Sequence, residues 1–369
     1  MKVLAALARR VLRLISSAME RPGLRRPDID RQTMIETEFP GLKAETIEAA
    51  ARNAAFYIDG YDIIVNRIIE ARGHNVFLGT KPSLCRFCGR GTPAVTFRKE
   101  AHAVPELAGN GTLLSHYECD ECNQRFSAFE DDLGKMTFLG RAAGMVMGKN
   151  GIPSLTSRKK KSRVDADASG FKMQDHEDDP IFAIDHATKT YTVTVAPHSY
   201  RPLGAFKALV KIAVTLMPEE DVANVPEVLL WLRAKDLTTD RIDDGTGYSC
   251  FQTFTPGLLP FGATRVMLLR RKGPGVEGPC YISVLAFGNM SLQITVPAPQ
   301  ADKHLIGKTV ALRAVPLMPW LVPARVHGPT SFGITHLSSP DSVKGAEKVV
   351  FHFDRMVDQD GNEVTGARA

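Results

Sequence analysis

Apolar and polar positions along the 369-residue chain recur with changing periods, and the changes mark out its organisation. Near the start, Val3, Leu4, Leu7, Val11, Leu12, Leu14 and Ile15 fall at helical spacing with arginines between them, which predicts a basic amphipathic helix. Residues 28–41 are polar and proline-punctuated, an irregular lead-in. Two helices are predicted next, over 42–57 and, after Asp59-Gly60, over 61–72, the second from the packing face of Ile63, Ile64, Ile68 and Ile69. Beyond Pro180, strands over 181–184 and 191–195 flank a turn at 185–189. A helix over 203–217 carries the stripe Leu203, Phe206, Leu209, Val210, Ala213, Val214 and Met217, and a shorter helix covers 219–235. Further strands are predicted over 266–271, 282–287, 291–296, 309–314 and 349–353, with Gly288-Asn289 as a hairpin turn. Residues 181–369 therefore read as a separate α+β domain. No apolar run reaches eighteen residues, so no membrane helix is predicted, and a soluble, cytoplasmic protein is expected.

At 44% hydrophobic content the chain can bury a sizeable core, and its length suits two or three domains. The net charge of +5 is an N-terminal property: residues 1–26 hold seven cations against Glu20, a net of +6, leaving about −1 elsewhere. Arginines after Ala8 argue against a secretory signal; nonspecific phosphate contact, a surface helix, a transit-like segment and a misplaced start codon stay open for this arm. Residues 27–84 form a helical N-terminal region in this reading. A second basic run, Arg158, Lys159, Lys160 and Lys161, is self-repelling unless an anion lies among its side chains, so it reads as a nucleic-acid contact or a solvated loop. Asp165, Asp167, Asp175, Glu177, Asp178 and Asp179 then reverse the sign, which predicts a flexible acidic linker over 164–180.

The most informative stretch is 85–130. Cys85 and Cys88 form one Cys-x-x-Cys pair and Cys119 and Cys122 another, with thirty residues between. Two such knuckles supply the four soft ligands of a tetrahedral structural zinc, and the absence of secretory context argues against disulfides. Cys250 and Cys280 stand apart and read as buried thiols. Between the knuckles lies Glu100-Ala-His-Ala-Val-Pro-Glu-Leu-Ala-Gly-Asn110, followed by Cys119-Asp-Glu-Cys-Asn123.

These motifs resemble the zinc-stapled branch of the HNH endonucleases, over about a fifth of the chain. The resemblance implies a ββα-metal fold over 85–163, with one catalytic divalent ion held between a hairpin and a helix. It implies further that His102 is the general base, that Asn110 ties the loop, and that Asn123 is a metal ligand at the helix start. One departure is plain: many relatives carry Asp, Glu or His immediately before the catalytic His, and here that residue is Ala101. Glu100 shares the His102 face of a strand, and Glu130 lies two helical turns after Asn123, so either acid suits the ion. Exposed acids on a solvated face, and a helix cap for Asn123, are the competing readings. His116 reads as a loop histidine, and His198, Tyr200 and Arg201 as either a ligand lip or a capping loop.

Hydrolysis of a phosphodiester needs a neutral imidazole to accept a proton from water, and a hard cation with oxygen ligands to hold the phosphate. Four thiolates around zinc leave no open position, so two metals are expected: structural Zn²⁺ and catalytic Mg²⁺ or Mn²⁺. The expectation is a metal-dependent DNA endonuclease, with restriction or defence as a setting by analogy. The alternative is a nonenzymatic, zinc-stabilised nucleic-acid-binding protein. RNA as substrate, target sequence and oligomeric state stay open.

Overall fold

The computed structural model describes residues 44–80, 84–167, 170–234, 237, 242, 247–257, 260–310, 312–316, 330–345 and 348–352. The basic arm over 1–26 lies outside the described residues. Ala44–Gly60 forms helix α1. The chain then extends, and Tyr61–Ile69 is strand β1, where the apolar spacing predicts a helix. The misreading comes from isoleucines at helical spacing, of which only Ile69 is buried and Ile68 is exposed. A register shift between Ile63 and Val65 changes which face is covered, so Tyr61 packs on one side of the sheet and Val65 and Ile69 on the other. The β-branched run Ile63-Ile64-Val65, stiff at χ1, favours the extended form.

Val76–Leu78 (β2), Ala101–His102 (β3) and Leu113–Ser115 (β4) form a small sheet in the order β2-β4-β3. Helix α2 (Asp120–Met136) follows, with α3 (Phe138–Ala143) behind it. Leu155–Thr156 (β5), Arg163–Asp167 (β6) and Gly170–Gln174 (β7) make an antiparallel sheet across much of the predicted acidic linker. Val164 of β6 is buried against Ile181, Val193 and Val195, so this stretch has a core of its own. Phe182–Asp185 (β8) and Thr190–Thr194 (β9) form the expected hairpin.

After Ser199–Tyr200 (β10) comes α4 (Pro202–Leu216), buried along its whole length. The shorter predicted helix is two, Glu219–Val222 (α5) and Pro226–Arg233 (α6), because Val225 before the proline is held out of helical geometry. Ser249–Phe254 (β11), Phe261–Arg271 (β12), Tyr281–Gly288 (β13), Met290–Val296 (β14) and Ser331–His336 (β15) join β1 in an antiparallel sheet ordered β1-β12-β13-β14-β11-β15. Of these, β11 and β15 carry no clear alternation and are missed by the sequence reading. The predicted strand at 309–314 is absent among the described residues there. The Gln293 side chain meets that segment instead, donating to the Arg313 carbonyl and accepting from the Val315 N–H.

Strands β13 and β14 are buried on both faces. Tyr281, Leu285, Phe287, Leu292 and Ile294 face the same core as Leu203, Phe206 and Val210 of α4, while Ile282 and Val284 pack with Tyr57 and Tyr61 on the other side. The core on the α4 side also takes in Cys85, Phe87, Phe126 and Leu133, so α4 is a shared middle layer between α2 and the large sheet. This corrects the expectation of a separate C-terminal domain: the region before residue 85 contributes an edge strand to its sheet, and the cysteine module shares its core. The contact between α2 and α4 is close enough that a Cβ at Gly204 would lie 2.1 Å from Asp132 Oδ2. Asp132 in turn accepts from the Arg201 N–H and guanidinium at 2.9 Å each.

Candidate functional site

The four cysteine sulfurs lie within 4.8 Å of one another, buried but for the half-buried Cys88. Cys88 Sγ and Cys119 Sγ are 3.8 Å apart, the separation of two corners of a tetrahedron with metal–sulfur bonds of about 2.3 Å. Cys119 stands immediately before α2 and Cys122 in its first turn, while Gly89 N–H closes the first knuckle onto the Cys85 carbonyl at 2.8 Å. Hydrogen bonding from Cys122 holds the Cys85 thiol down to about 5, whereas burial pushes Cys119 up to about 11. Cys122 is raised further by its hydrogen bond to Cys85 and then by burial. Four thiols packed this way cannot all ionise without a cation among them, and the donor set fits a structural metal.

Arg86, inside the first knuckle, is buried away from the metal corner. Its guanidinium donates to the carbonyls of Val214 (2.9 Å), Thr215 (3.0 Å) and Met217 (2.9 Å), pairs with Glu219, and lies 3.5 Å over the Tyr117 ring. A cation at the carboxyl end of α4 is favourable for the helix and joins the knuckle to it.

His102 closes β3 and leads into the loop that returns along β4. Asn110 organises that loop with its whole amide: Nδ2 donates to the carbonyls of Val104 (2.5 Å) and Leu113 (2.8 Å), and Oδ1 accepts from the N–H groups of Thr112 (3.0 Å) and Leu113 (2.7 Å). Asn110 therefore shapes the loop and has no donor or acceptor left for a reacting group. Gly109, at φ 85°, makes the left-handed turn after the short helix Glu106–Ala108. Upstream, Asp120 accepts from the N–H groups of Arg98 (3.0 Å) and Lys99 (2.9 Å) and from the Thr96 hydroxyl at 2.5 Å. Slight burial opposes ionisation, yet these bonds hold the Asp120 carboxyl below its usual range and fix the approach to Glu100.

The His102 ring is about a quarter exposed; its Nδ1 is buried with no protein partner, and its Nε2 lies 3.9 Å from Glu106 Oε2. Desolvation lowers the His102 pKa below the usual 6.5, although Glu106, Glu130 and Glu100 raise it and Lys211 lowers it further. The imidazole is thus neutral at pH 7. Glu106, four residues after His102, is the close carboxylate that the sequence reading did not select. Glu130 is half-buried, and its Oε1 accepts from Lys211 Nζ at 3.0 Å; Glu100 is exposed. The Asn123 side chain is half-buried and sits two helical turns, about 10 Å, before Glu130 along α2. Among the described residues, His102 and these carboxylates do not converge as the four thiols do. Donors of the right kind for a hard cation surround the imidazole without forming a closed cage.

Lys211 and Glu118 are the other residues missed. Lys211 Nζ, from α4, lies 3.1 Å from Glu118 Oε2 and 3.4 Å from the His102 carbonyl oxygen, with its side chain only 1% exposed. One ammonium faces two carboxylates, and burial pushes Glu118 up to about 7. The sequence signal was a pair of lysines, Lys207 and Lys211, on an otherwise apolar helix, which burial obliges to find partners: Lys207 donates to the Trp231 carbonyl at 2.7 Å, and Lys211 meets the carboxylates.

The run Arg158–Lys161 is not an isolated basic patch. Asp179 Oδ2 accepts from the backbone N–H groups of Lys159 (3.0 Å) and Lys161 (3.2 Å), and Lys161 Nζ pairs with Asp178 at 3.3 Å, so the acidic run ties down the turn that carries the lysines and offsets one of their charges. His116 stacks on Phe77 at 4.5 Å, and the His198 ring lies 4.1 Å from Phe138. Arg201, partly exposed, ties α4 to α2 through Asp132, which suits the capping-loop reading of this segment. Cys250 is buried and Cys280 half-buried, both as free thiols.

A short hairpin and a helix around a histidine, pinned by four thiols, is the architecture of a ββα-metal module. Residues 85–139 match the HNH endonuclease family, and the resemblance read from the motifs holds over that segment. No curated protein and no solved structure matches the chain. No helix among the described residues is long and apolar enough to cross a membrane.

Proposed function

We propose that the chain is a metal-dependent HNH-type endonuclease that hydrolyses DNA phosphodiester bonds, with zinc on Cys85, Cys88, Cys119 and Cys122. The reading rests on one observation above the rest: the His102 ring stands, about a quarter exposed, inside the matched segment with its Nδ1 unpartnered, in surroundings whose desolvation favours the neutral form. In that state the ring accepts a proton from an attacking water. Glu106 and Glu130, the carboxylates that face the ring most strongly, would hold the catalytic Mg²⁺ or Mn²⁺, with Glu100 as a further donor; Asn123, two helical turns from Glu130, would reach the phosphate or the ion's water shell and not the same ligand position. A magnesium site needs only one or two protein carboxylates, the rest of its shell coming from water and phosphate, which suits donors that do not form a closed cage. When bound, the ion supplies charge neutralisation at the scissile phosphate and leaving oxygen. Asn110 holds the loop that carries His102, and Ala101 leaves the ion without the ligand that many relatives place there.

Selectivity falls to residues 181–369, whose role is target recognition or sensing, in a cytoplasmic setting such as restriction or defence. The non-converging donors and Ala101 favour one rival, a zinc-stabilised module that docks on nucleic acid without cutting it. A panel of supercoiled plasmid, linear duplex, single-stranded DNA and RNA, with Mg²⁺, Mn²⁺ or chelator, decides between them. Metal-dependent nicking lost in His102→Ala supports the nuclease, RNA-only cleavage corrects the substrate, and binding without cleavage by wild-type protein supports the rival.

A further inference from the structure

Helix α4 lies wholly outside the segment that matches the nuclease family, yet it delivers a charged group to the centre of the candidate site. Most of the α4 surface is apolar and packs in the shared core. Lys211 is the exception that reaches the site. Its ammonium bridges Glu130 on α2 (3.0 Å), Glu118 before the second knuckle (3.1 Å) and the carbonyl of His102 at the end of β3 (3.4 Å). These three partners belong to three different segments of the module, and nothing in the sequence between Cys85 and Leu139 holds them together in this way.

We infer that Lys211 is a positioning residue for the site: its buried ammonium sets Glu130 of the helix against the strand that carries His102. The inference rests on the nuclease reading for its kinetic consequence and on geometry alone for the placement itself. A buried ion cluster is a poor source of stability, since apolar side chains of similar volume fill such a space as well or better. What it supplies is direction. An ammonium has three donors; here it donates to Glu130 and to the His102 carbonyl and pairs in charge with the buried Glu118 carboxylate, whose oxygens have no hydrogen-bond partner, so removing the ammonium leaves two carboxylates facing each other without a counter-charge. Lys211 itself is too buried to touch substrate. The alignment of imidazole and carboxylate therefore depends on a helix of the C-terminal region, and the family segment by itself lacks the part that orients it.

The test compares the full-length, zinc-loaded protein with Lys211→Met, Lys211→Arg and Glu118→Gln, with zinc content and melting temperature read on each. In plasmid nicking with Mn²⁺, Lys211→Met is expected to lower kcat by about 100-fold, the scale of an ångström-sized misplacement, with KM changed less than about twofold. Lys211→Arg, which keeps the charge, is expected to recover at least about a tenth of the wild-type kcat. A folded, zinc-replete Lys211→Met protein that nicks at the wild-type rate overturns the inference. Should that variant not fold, Glu118→Gln carries the comparison: a kcat lowered about tenfold supports the inference, and an unchanged kcat overturns it. A second arm needs no cleavage. In ¹⁵N spectra of wild-type protein, the Lys211 ammonium should give a resolved, slowly exchanging resonance that moves in Glu130→Gln, and the His102 ring nitrogens should move in Lys211→Met. Absence of the resonance, or an unmoved His102 ring, overturns the placement. If these signals behave as expected while wild-type protein cuts no nucleic acid, the nuclease reading fails and the positioning role stands.

Discussion

Cys85, Cys88, Cys119 and Cys122 reach one another through two tight turns of chain, and their sulfurs lie within 4.8 Å of one another, with Cys88 and Cys119 at 3.8 Å. The groups around His102 come together differently. The histidine ends a two-residue strand, Glu106 begins a one-turn helix, Glu130 sits on α2, and the lysine that joins two of these segments arrives from α4. One centre is closed and fully buried at three of its four corners; the other is half-open, with carboxylates that surround the imidazole but do not converge with it. The difference follows from the chemistry each can perform. A structural metal saves the most free energy when every ligand is preformed and water is excluded. A site for phosphate transfer must leave positions for substrate, and its oxygen ligands can stay apart until a cation and a phosphate draw them in.

The contrast breaks first at the thiols. Cys119→Ser, or chelation of the wild-type metal, is expected to remove a contribution of about 10 kcal/mol, comparable to the total stability of a domain. Because Phe87, Phe126 and Leu133 share a core with α4, circular dichroism should show loss of structure beyond residues 85–139. A zinc-free variant with native near-ultraviolet dichroism would contradict the structural role. His102→Ala should behave in the opposite way, lowering nicking by about 10²–10⁴-fold with bound zinc and melting temperature unchanged.

Asn110→Ala tests the loop between the two centres. Four hydrogen bonds are lost inside a buried turn, so urea denaturation should show a destabilisation of about 2–4 kcal/mol, with nicking reduced through the displaced His102 segment. A stability change below about 0.5 kcal/mol would mean that the loop holds itself. The smallest effect is the pH profile. A base works in its neutral form, so a pKa lowered by desolvation extends activity to lower pH: the acidic limb of kcat/KM should fall below pH 6.5. A limb above pH 6.5 would mean that Glu106, Glu130 and Glu100 outweigh desolvation.

The knuckles and the loop-tying Asn110 were legible because each is a local pattern, set by residue type and spacing within a few turns of chain. Helix α4 and the strands β8, β9, β13 and β14 were legible for the same reason, since each is an apolar or β-branched run of element length bounded by turn or proline signals. Strand β1 misled because its isoleucines fall at helical spacing and a bulge between Ile63 and Val65 breaks the two-residue alternation that would have marked a strand. The supposed linker misled because its acids and the preceding lysines were read as two solvated runs, whereas they close on each other through Asp178 and Asp179. Glu106 escaped notice beside better-known positions, although a carboxylate four residues beyond the histidine was visible on the page.

By itself the sequence determined the four-thiol cluster, the histidine between its halves, the hairpin-and-helix frame around them and the mixed helix-and-strand character of the rest. Only the tertiary structure decided that the C-terminal region is no separate appendage, and that one of its lysines meets Glu130, Glu118 and the His102 carbonyl. The reason is physical. Metal-ligand spacing is written into short stretches of chain, whereas the partner of a buried charge is fixed by which surfaces pack together, and segments far apart in sequence carry no mark of that meeting until they are folded.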